Sequence, residues 1–178
     1  MLPVKNTIDQ IAAVNSGAAD LMIMSPTEER RMSYAFTTPF IVGPLVYVIH
    51  KKNNGIDPYS LVRLGRVATV NGFISTILID QSFQLERSIS FSQINGALDC
   101  VANELCDVVI LPLRTARFLI DTKYPDSLII SGDAFESKPV ALSFAAKPSQ
   151  NSLISIIDKA LMSIPPDEMD ILATSWRV

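Results

Sequence analysis

Residues 17–51 decide the fold of this chain, and they read GAADLMIMSPTEERRMSYAFTTPFIVGPLVYVIHK. The apolar run 21–24 predicts a short buried strand, and the polar residues 25–30 predict a turn. The Phe-Thr-Thr-Pro-Phe corner that follows leads into a second apolar run, 45–51, which predicts a longer strand. Open α/β sheets bind ligands on loops at the carboxyl ends of their strands, so Arg30 is a candidate binding residue.

The rest of the chain alternates short apolar strands with helices. Thr7 and Gln10 fit a capping box for a helix over 7–15, and residues 53–58 mark a turn. The further predicted elements are strands at 66–70, 87–91, 107–111, 128–131 and 138–146, and helices at 75–84, 92–105 (capped by Ser92), 115–121, 150–162 and 166–176. Strands that alternate with helices indicate an α/β fold with mainly parallel sheets.

The composition is that of a globular protein. Apolar residues make up 48% of the 178 residues, charged residues make up 19%, and the net charge is −3. This balance argues against intrinsic disorder. The basic residues are scattered without an aromatic platform among them, so no nucleic-acid partner is expected. No apolar run reaches the ~18 residues of a membrane span, and the N-terminus lacks the pattern of a signal peptide.

The two cysteines, Cys100 and Cys106, are six residues apart. On one helix and its exit, the rise alone would separate them by about 9 Å. That distance exceeds the ~7 Å limit for an unstrained disulfide, so we interpret both as buried structural thiols.

Catalysis is not expected. The single histidine, His50, lies within a predicted strand and near no nucleophile motif such as G-x-S-x-G. Glu28 and Glu29 are adjacent on a turn, which is a solvated arrangement rather than a pair facing across a cleft. The sequence contains no phosphate-loop or dinucleotide fingerprint, and no cofactor or metal is expected.

The order of these motifs resembles the type II periplasmic solute-binding proteins, and most closely bacterial extracellular solute-binding family 3. The resemblance rests on the Asp-Leu strand at 20–24, the Thr-Glu-Glu-Arg turn and the Phe-Thr-Thr-Pro-Phe corner. It continues through the GRVATVNG segment at 65–72, the strand at 140–147 and the closing Trp176. It thus covers nearly the whole chain.

In that family two α/β lobes, joined by two crossing strands, close on a ligand like a flytrap. The resemblance implies that residues 1–48 and 140–178 form lobe 1 and that residues 49–139 form lobe 2. It also implies that lobe 1 is incomplete, because the family's first strand, first helix and second strand have no counterpart here. One wall of the ligand cleft is therefore expected to be missing.

The Thr-x-x-Arg turn carries the first candidate site. In amino-acid-binding members of the family, the arginine at the position of Arg30 holds the ligand carboxylate through a bidentate fork, which suits a planar guanidinium. The alternative is a surface arginine, or one that pairs with Glu28 or Glu29. Ser25 and Thr27 would offer hydroxyl or backbone N–H groups to the same ligand, or would only cap the turn.

The predicted lobe 2 supplies the second candidate set. Asn71, Ser75 and Thr76 lie at a strand-to-helix turn, where free N–H groups favour an anion. Plain N-capping by Ser75 is the alternative. After the strand at 107–111, amino-acid binders usually place an acid that accepts the ligand ammonium, but Pro112 stands there. Arg114 would instead favour an acidic ligand, or would face solvent.

The aromatic residues are more typical of packing than of ligand contact. Phe36, Pro39 and Phe40 are expected to line the core or the cleft wall. Trp176 is expected to anchor lobe 1 rather than stack on a ligand.

The leading functional hypothesis from the resemblance is the extracytoplasmic ligand-sensing domain of a bacterial hybrid sensor histidine kinase. Its partner would be a small amino acid or organic anion, and its parent protein would be membrane-anchored, with dimerisation left open. The alternatives are the periplasmic binding protein of an amino-acid uptake system and the flytrap-like part of a lytic transglycosylase.

Overall fold

The computed structural model describes residues 6–83, 85, 87–165, 167–169 and 171. The helices are α1 Thr7–Ser16, α2 Glu28–Ser33, α3 Pro58–Leu64, α4 Ile74–Ser82, α5 Ile94–Ala102, α6 Leu113–Lys123 and α7 Asn151–Met162. The strands are β1 Met22–Met24, β2 Ala35–Phe36, β3 Ile41–His50, β4 Val67–Val70, β5 Ser88–Phe91, β6 Val108–Pro112, β7 Leu128–Asp133 and β8 Pro139–Ala146. Trp176 and the end of the predicted last helix lie outside the described residues.

The N-cap of helix α1 lies one residue earlier than predicted. Asn6, not Thr7, caps α1, because the Asn6 side chain accepts a hydrogen bond from the backbone N–H of Asp9 at 2.9 Å. Gly17 ends the helix with φ of 80°, a left-handed conformation that glycine adopts without steric cost.

Helices α2, α3 and α5 also differ from the prediction. Residues 25–30 were predicted as a turn, but α2 begins at Glu28, because the Thr27 side chain caps its first turn. Helix α3 was not predicted, since only a turn at 53–58 was assigned, although Asp57 accepts from the first-turn N–H groups and Pro58 occupies the first helical position. Helix α5 begins at Ile94 after the N-cap position Gln93, and no side chain caps it, so the predicted Ser92 cap is wrong.

The chain divides into two compact units. Unit 1 comprises Met1–Val42 and Ala141–Val178, and unit 2 comprises Gly43–Val140. The two boundaries fall inside strands β3 and β8.

Unit 2 is built on a mixed sheet with the strand order β7-β3-β6-β4-β5. Strand β4 pairs in parallel with β5 and β6, as the predicted alternation of strands and helices requires. Strand β3 pairs antiparallel with β6 on one side and with β7 on the other. The α/β fold class is confirmed, and the unit 2 sheet is mixed rather than mainly parallel, since β4 pairs in parallel with β5 and β6 whereas β3 pairs antiparallel with β6 and β7.

Helices cover both faces of this sheet. The residues of β3 alternate between two cores, since Tyr47 belongs to one buried cluster and Val48 to the other. Val62 of α3 and Ile79 of α4 pack with the Tyr47 cluster, and Leu98 of α5 packs with the Val48 cluster. Burial on both faces explains why β3, β4 and β6 read as continuous apolar runs in the sequence.

Unit 1 has a smaller core. Strands β1 and β2 pair antiparallel with the unit 1 part of β8, with Met24 opposite Ser143 and Phe36 opposite Ala145. Val14 of α1 packs against Met22 and Met24, so the helix and the sheet share one buried cluster. This packing holds the carboxyl end of β1, from which the Arg30 turn begins.

Cys100 and Cys106 form a disulfide, so the prediction of two separate thiols is wrong. Helix α5 ends at Ala102, and Glu104 takes a left-handed φ of 59°. The chain then folds back, so that the backbone N–H of Cys106 donates to the Cys100 carbonyl at 3.0 Å. The two Cα atoms lie 5.1 Å apart, well within the range of an unstrained bridge.

An arginine–carboxylate pair fixes the start of β4 next to this loop. Asp107 accepts from the backbone N–H of Arg66 at 2.7 Å and from the Arg66 guanidinium at 3.0 and 3.2 Å. These bonds lower the pKa of Asp107 below its ordinary value. Gly65 is packed tightly beside them, because an added Cβ would lie 2.6 Å from the Leu61 carbonyl oxygen and 3.0 Å from Asp107 Oδ2.

The substitution Gly65→Ala is expected to destabilise the protein by about 1–2 kcal/mol, as overpacking generally does. The contact with the Leu61 carbonyl cannot relax by a side-chain rotation, because that oxygen belongs to the backbone of α3. The matched control is Gly43→Ala, since no atom lies within 4 Å of a Cβ added there. Urea unfolding measures the difference, and equal midpoints for the two variants would contradict the packing described.

Candidate functional site

The turn after β1 is organised by two oxygens, one on Ser25 and one on Thr27. The Thr27 hydroxyl caps α2 by accepting from the Arg30 backbone N–H at 3.3 Å. The Ser25 carbonyl accepts from the Thr27 N–H at 3.1 Å, and Ser25 is buried. The hydroxyl of Thr27 is thus used for the local capping that the sequence left open as an alternative.

Arg30 folds back onto this turn. Its Nη1 donates to the Ser25 carbonyl oxygen at 3.1 Å, so the guanidinium is held at the carboxyl end of β1. The side chain is half-buried, and this burial lowers the pKa of Arg30, while the nearby Glu29 and Tyr34 raise it. A guanidinium stays charged under such shifts, and its planar donors suit a carboxylate.

The aromatic corner contributes packing in unit 1. Phe36 packs partly buried against the core that contains Met24, and Phe40 stacks on Phe144 with ring centroids 4.7 Å apart. The Arg31 guanidinium lies over the Phe36 ring at 5.4 Å. The Arg31 guanidinium thus contacts an aromatic ring of the protein, and Arg31 serves as a comparison residue for Arg30.

Asp158 of α7, which the sequence did not indicate as a site residue, bonds to Thr38 of the aromatic corner. Its Oδ1 accepts from the Thr38 backbone N–H at 2.6 Å and from the Thr38 hydroxyl at 2.9 Å. The partners are 120 residues apart in the chain. No local pattern could have paired them, since the contact depends on how unit 1 brings its two chain segments together.

The candidates at the turn between β4 and α4 have mostly structural partners. The Thr76 hydroxyl accepts from the Val70 N–H at 3.2 Å and donates to the Val70 carbonyl at 2.8 Å. Asn71 Oδ1 accepts from the Ser90 hydroxyl. Ser75 is buried and is the second residue of the helix, so the proposed N-cap at Ser75 is wrong.

The first turn of α4 has no side-chain cap. Its N-cap position is Phe73, whose side chain has no acceptor, and no hydrogen bond from that side chain closes the turn. Backbone N–H groups at such a helix start are a general site for anions. The turn at Asn71, Ser75 and Thr76 therefore offers an anion its backbone N–H groups rather than side-chain hydroxyls.

Arg114 lies at the second position of α6, directly after β6. Strand β6 runs parallel to β4, with Val67 opposite Val108 and Ala68 opposite Val109. The two strands thus end at the same edge of the unit 2 sheet. This places Arg114 on the edge that also carries the β4–α4 turn, the usual ligand-binding edge of a parallel sheet.

Two further properties of the site region follow from the described residues. Within 6–83, 85, 87–165, 167–169 and 171, no three His, Cys, Asp or Glu side chains are grouped as metal ligands would be. None of the helices in this part of the chain has both the length and the apolar character needed to cross a membrane.

Comparison with known sequences identifies relatives along almost the whole chain. Virulence sensor protein BvgS of Bordetella pertussis is 26% identical over 174 residues, which is 97% of this chain and 14% of that protein. Sensor protein EvgS of Escherichia coli O157:H7 is 26% identical over 179 residues, which is 98% of this chain and 14% of that protein. The chain thus spans about one seventh of the length of these relatives.

Solved structures share the fold. The periplasmic VFT2 domain of BvgS from Bordetella pertussis superposes with a TM-score of 0.85 at 23% identity, covering 98% of this chain and 74% of that one. AbpA of Streptococcus pneumoniae, an amino acid ABC transporter substrate-binding protein bound to L-arginine, has a TM-score of 0.85 at 22% identity, covering 97% and 74%.

The likeness in fold agrees with the family assignment from sequence. The model of the bacterial extracellular solute-binding proteins, family 3, matches residues 4–178. This chain therefore belongs to the bacterial extracellular solute-binding proteins, family 3.

Proposed function

We propose that this chain is the extracytoplasmic ligand-sensing domain of a bacterial sensor histidine kinase. The observation that carries the proposal is the similarity to BvgS and EvgS, proteins named as sensors, over 97% and 98% of this chain. The family assignment supports the binding of a solute, and the domain is proposed to act by binding rather than by catalysis, without a cofactor.

The Cys100–Cys106 disulfide supports a location outside the cytoplasm. Disulfides persist in oxidising compartments such as the periplasm and are rare in the reducing cytosol. The related BvgS domain is itself described as periplasmic. We place this domain in the periplasm, as part of a membrane-anchored protein.

The proposed ligand is a small anionic or amino-acid-like solute. Arg30 is the residue proposed to bind its carboxylate, because the Ser25 carbonyl already orients the guanidinium at a strand end. Pro112, the last residue of β6, has no carboxylate that could accept a ligand ammonium group. Arg114 adds positive charge at the edge of the unit 2 sheet where Pro112 ends β6, and this charge favours an acidic ligand over a cationic one.

The other candidate residues have different proposed roles. Ser25, Asn71 and Ser75 would contribute polar groups around the two turns. Thr27 and Thr76 would act mainly through the backbone they hold, since their hydroxyls already have local partners.

We further propose that the two units are the two lobes of a flytrap. In a sensor, the ligand would then shift the equilibrium between two arrangements of the lobes only by its differential affinity for them. The division at β3 and β8 supports this proposal, since two strands carry the chain from one unit to the other.

A periplasmic binding protein of amino-acid uptake is the second candidate, favoured by the fold shared with AbpA. That likeness shows the fold alone and does not separate the two functions. The complete sequence of the parent protein separates them. A kinase region on the same polypeptide supports the sensor, and its absence would support the uptake protein.

A thermal-shift screen tests the ligand class. The probes are the twenty proteinogenic L-amino acids and the carboxylates succinate, malate and citrate, each at millimolar concentration. A ligand present at ~100 times its Kd is expected to stabilise the folded state by about 2.7 kcal/mol. We expect anionic probes to raise the melting temperature, with L-lysine and L-arginine as the charge-reversed comparison. A rise with the basic amino acids alone would contradict the proposed ligand class.

A further inference from the structure

The connection between β7 and β8 contains three consecutive left-handed residues, which we name the 135–137 turn. Phe135, Glu136 and Ser137 have φ angles of 53°, 56° and 60°, and none of them is glycine. In the described part of the chain, Glu104 is the one further non-glycine residue with a positive φ. A side chain in this conformation crowds the backbone, so each of the three residues is strained. Such strain persists only where the surrounding structure imposes it.

The hydrogen bonds within the turn hold this backbone only weakly. The Ser137 N–H donates to the Ala134 carbonyl at 3.1 Å, and the Lys138 N–H donates to the Phe135 carbonyl at 3.1 Å. The Ser137 hydroxyl donates to Asp133 Oδ2 at 2.8 Å, but both residues are exposed. Because water competes for bonds at the surface, each contributes little net stability. The left-handed backbone therefore depends also on how the two ends of the turn are held.

The two ends of the turn are held in different units. At the β7 end, the Ala134 N–H donates to the Leu45 carbonyl at 2.7 Å, and the Phe135 ring packs against the unit 2 core. At the other end, β8 leaves unit 2 after Val140 and pairs with β1 and β2 in unit 1. The turn is thus a strained connector whose two ends are fixed separately.

Proline at the start of β8 concentrates any rearrangement in the turn. The ring of Pro139 fixes its own φ angle, and it restricts Lys138 before it to an extended conformation. Residues 141–146 are held by their pairing in unit 1. A change in the direction of β8 is therefore taken up mainly at residues 135–137.

The other strand that joins the two units has a different device. Strand β3 enters unit 2 at Gly43, where a Cβ would have no atom within 4 Å. Glycine bends at such a point with little steric cost. Strand β8 crosses between Val140 and Ala141, and neither is glycine. In this second connection, the strained turn is the place where a backbone change releases energy.

We propose that the 135–137 turn is a conformational switch between two arrangements of the units. The inference rests on the proposed flytrap function. In one arrangement the path of β8 holds the turn left-handed, and in the other arrangement the turn relaxes to negative φ angles. The strain then sets the equilibrium between the two arrangements, and with it the differential affinity that a ligand needs to shift that equilibrium.

Double electron–electron resonance on the complete chain without ligand tests the switch. The spin labels are placed on cysteines introduced at Gln81 of α4 and Ser152 of α7, two exposed positions in different units. Glu136→Gly removes the Cβ that opposes the left-handed backbone, so one distance population is expected to rise about tenfold over the other. Glu136→Val is expected to shift the same ratio in the opposite direction, because a β-branched residue resists a positive φ.

Glu104→Gly is the matched control. Glu104 has a φ of 59°, but it lies between α5 and β6, within unit 2. The same relief of strain there is expected to leave the distances between the labels unchanged. A shift equal to that of Glu136→Gly would overturn the switch, as would one distance distribution shared by all the variants.

Hydrogen exchange on the same samples reads the turn itself. The Lys138 amide, which donates to the Phe135 carbonyl, should be more protected in Glu136→Gly and less protected in Glu136→Val. Distances that change while this exchange stays constant would also overturn the switch. Neither measurement needs a ligand. A thermal-shift screen without a hit therefore counts against the proposed solute binding, whereas rigid distances count against the switch alone.

Discussion

The variant Arg30→Ala is expected to weaken the binding of the solute found in the thermal screen by about 10–100-fold. This range corresponds to the loss of about 1.5–3 kcal/mol, the usual contribution of hydrogen bonds to a charged group. The structural reason is that the Ser25 carbonyl holds the guanidinium at the end of β1, so little ordering is needed when a carboxylate arrives. Isothermal titration calorimetry with the complete chain measures the change.

Two further variants separate the fork geometry of Arg30 from its charge. Arg30→Lys keeps the positive charge but cannot form two parallel hydrogen bonds, so an intermediate loss is expected. Arg31→Ala removes a neighbouring charge that lies over Phe36, and it is expected to leave the affinity nearly unchanged. An affinity of Arg30→Ala equal to that of the unmodified protein would refute the proposed carboxylate contact.

The stability of the unliganded variants is the necessary companion measurement. Arg30 also bonds to the Ser25 carbonyl, so its removal can loosen the turn as well as remove a ligand contact. We expect a loss of no more than about 1 kcal/mol, the net contribution of a typical hydrogen bond. A normal unfolding midpoint together with weak binding assigns the effect to the ligand contact.

Removal of the Cys100–Cys106 disulfide is expected to destabilise the protein by about 2–3 kcal/mol. The bridge joins residues six positions apart, and closing so short a loop restricts the unfolded chain by about this amount in the chain-entropy account. Cys100 and Cys106 are also buried, so their loss affects the packing of α5. The double variant Cys100→Ala, Cys106→Ala should unfold at correspondingly lower urea concentration.

A reductant provides the matched comparison for the disulfide. The unmodified protein should lose stability in dithiothreitol, whereas the double alanine variant should be insensitive to it. Mass spectrometry of the alkylated protein counts the free thiols directly. Two free thiols in protein purified from an oxidising compartment, with no effect of reductant, would contradict the bridge.

Much of the fold was predictable because its signals are local. The apolar runs that became β4 and β6 were bounded within one residue, since a strand buried on both faces must be continuously apolar. The helix α3 was missed although Asp57 and Pro58 are a helix-start pair, because the same dipeptide is also typical of turns. Local composition alone could not decide between the two.

The candidate site stays a prediction, and the hydrogen bonds of its residues could not be read from the sequence. Arg30 was expected on a turn after an apolar strand; it does follow β1, but it lies within helix α2. The partners of Thr76 and Asn71 were not predictable, because Val70 and Ser90 reach them only after β4 and β5 have paired and α4 has packed on them. The Thr76 hydroxyl, which the sequence offered as a ligand contact, is thus used in a hydrogen bond within the folded unit.

The sequence by itself determined most of the strands and helices and the family of the chain, since both depend on residue patterns within short segments; α2, β2 and α3 were not among the predicted elements. Only the tertiary structure decided that Cys100 and Cys106 pair, because the left-handed turn at Glu104 cancels the rise that a continuous helix would impose. It likewise decided that Asp158 holds Thr38, since hydrogen bonds between distant segments exist only once their common core has brought them together.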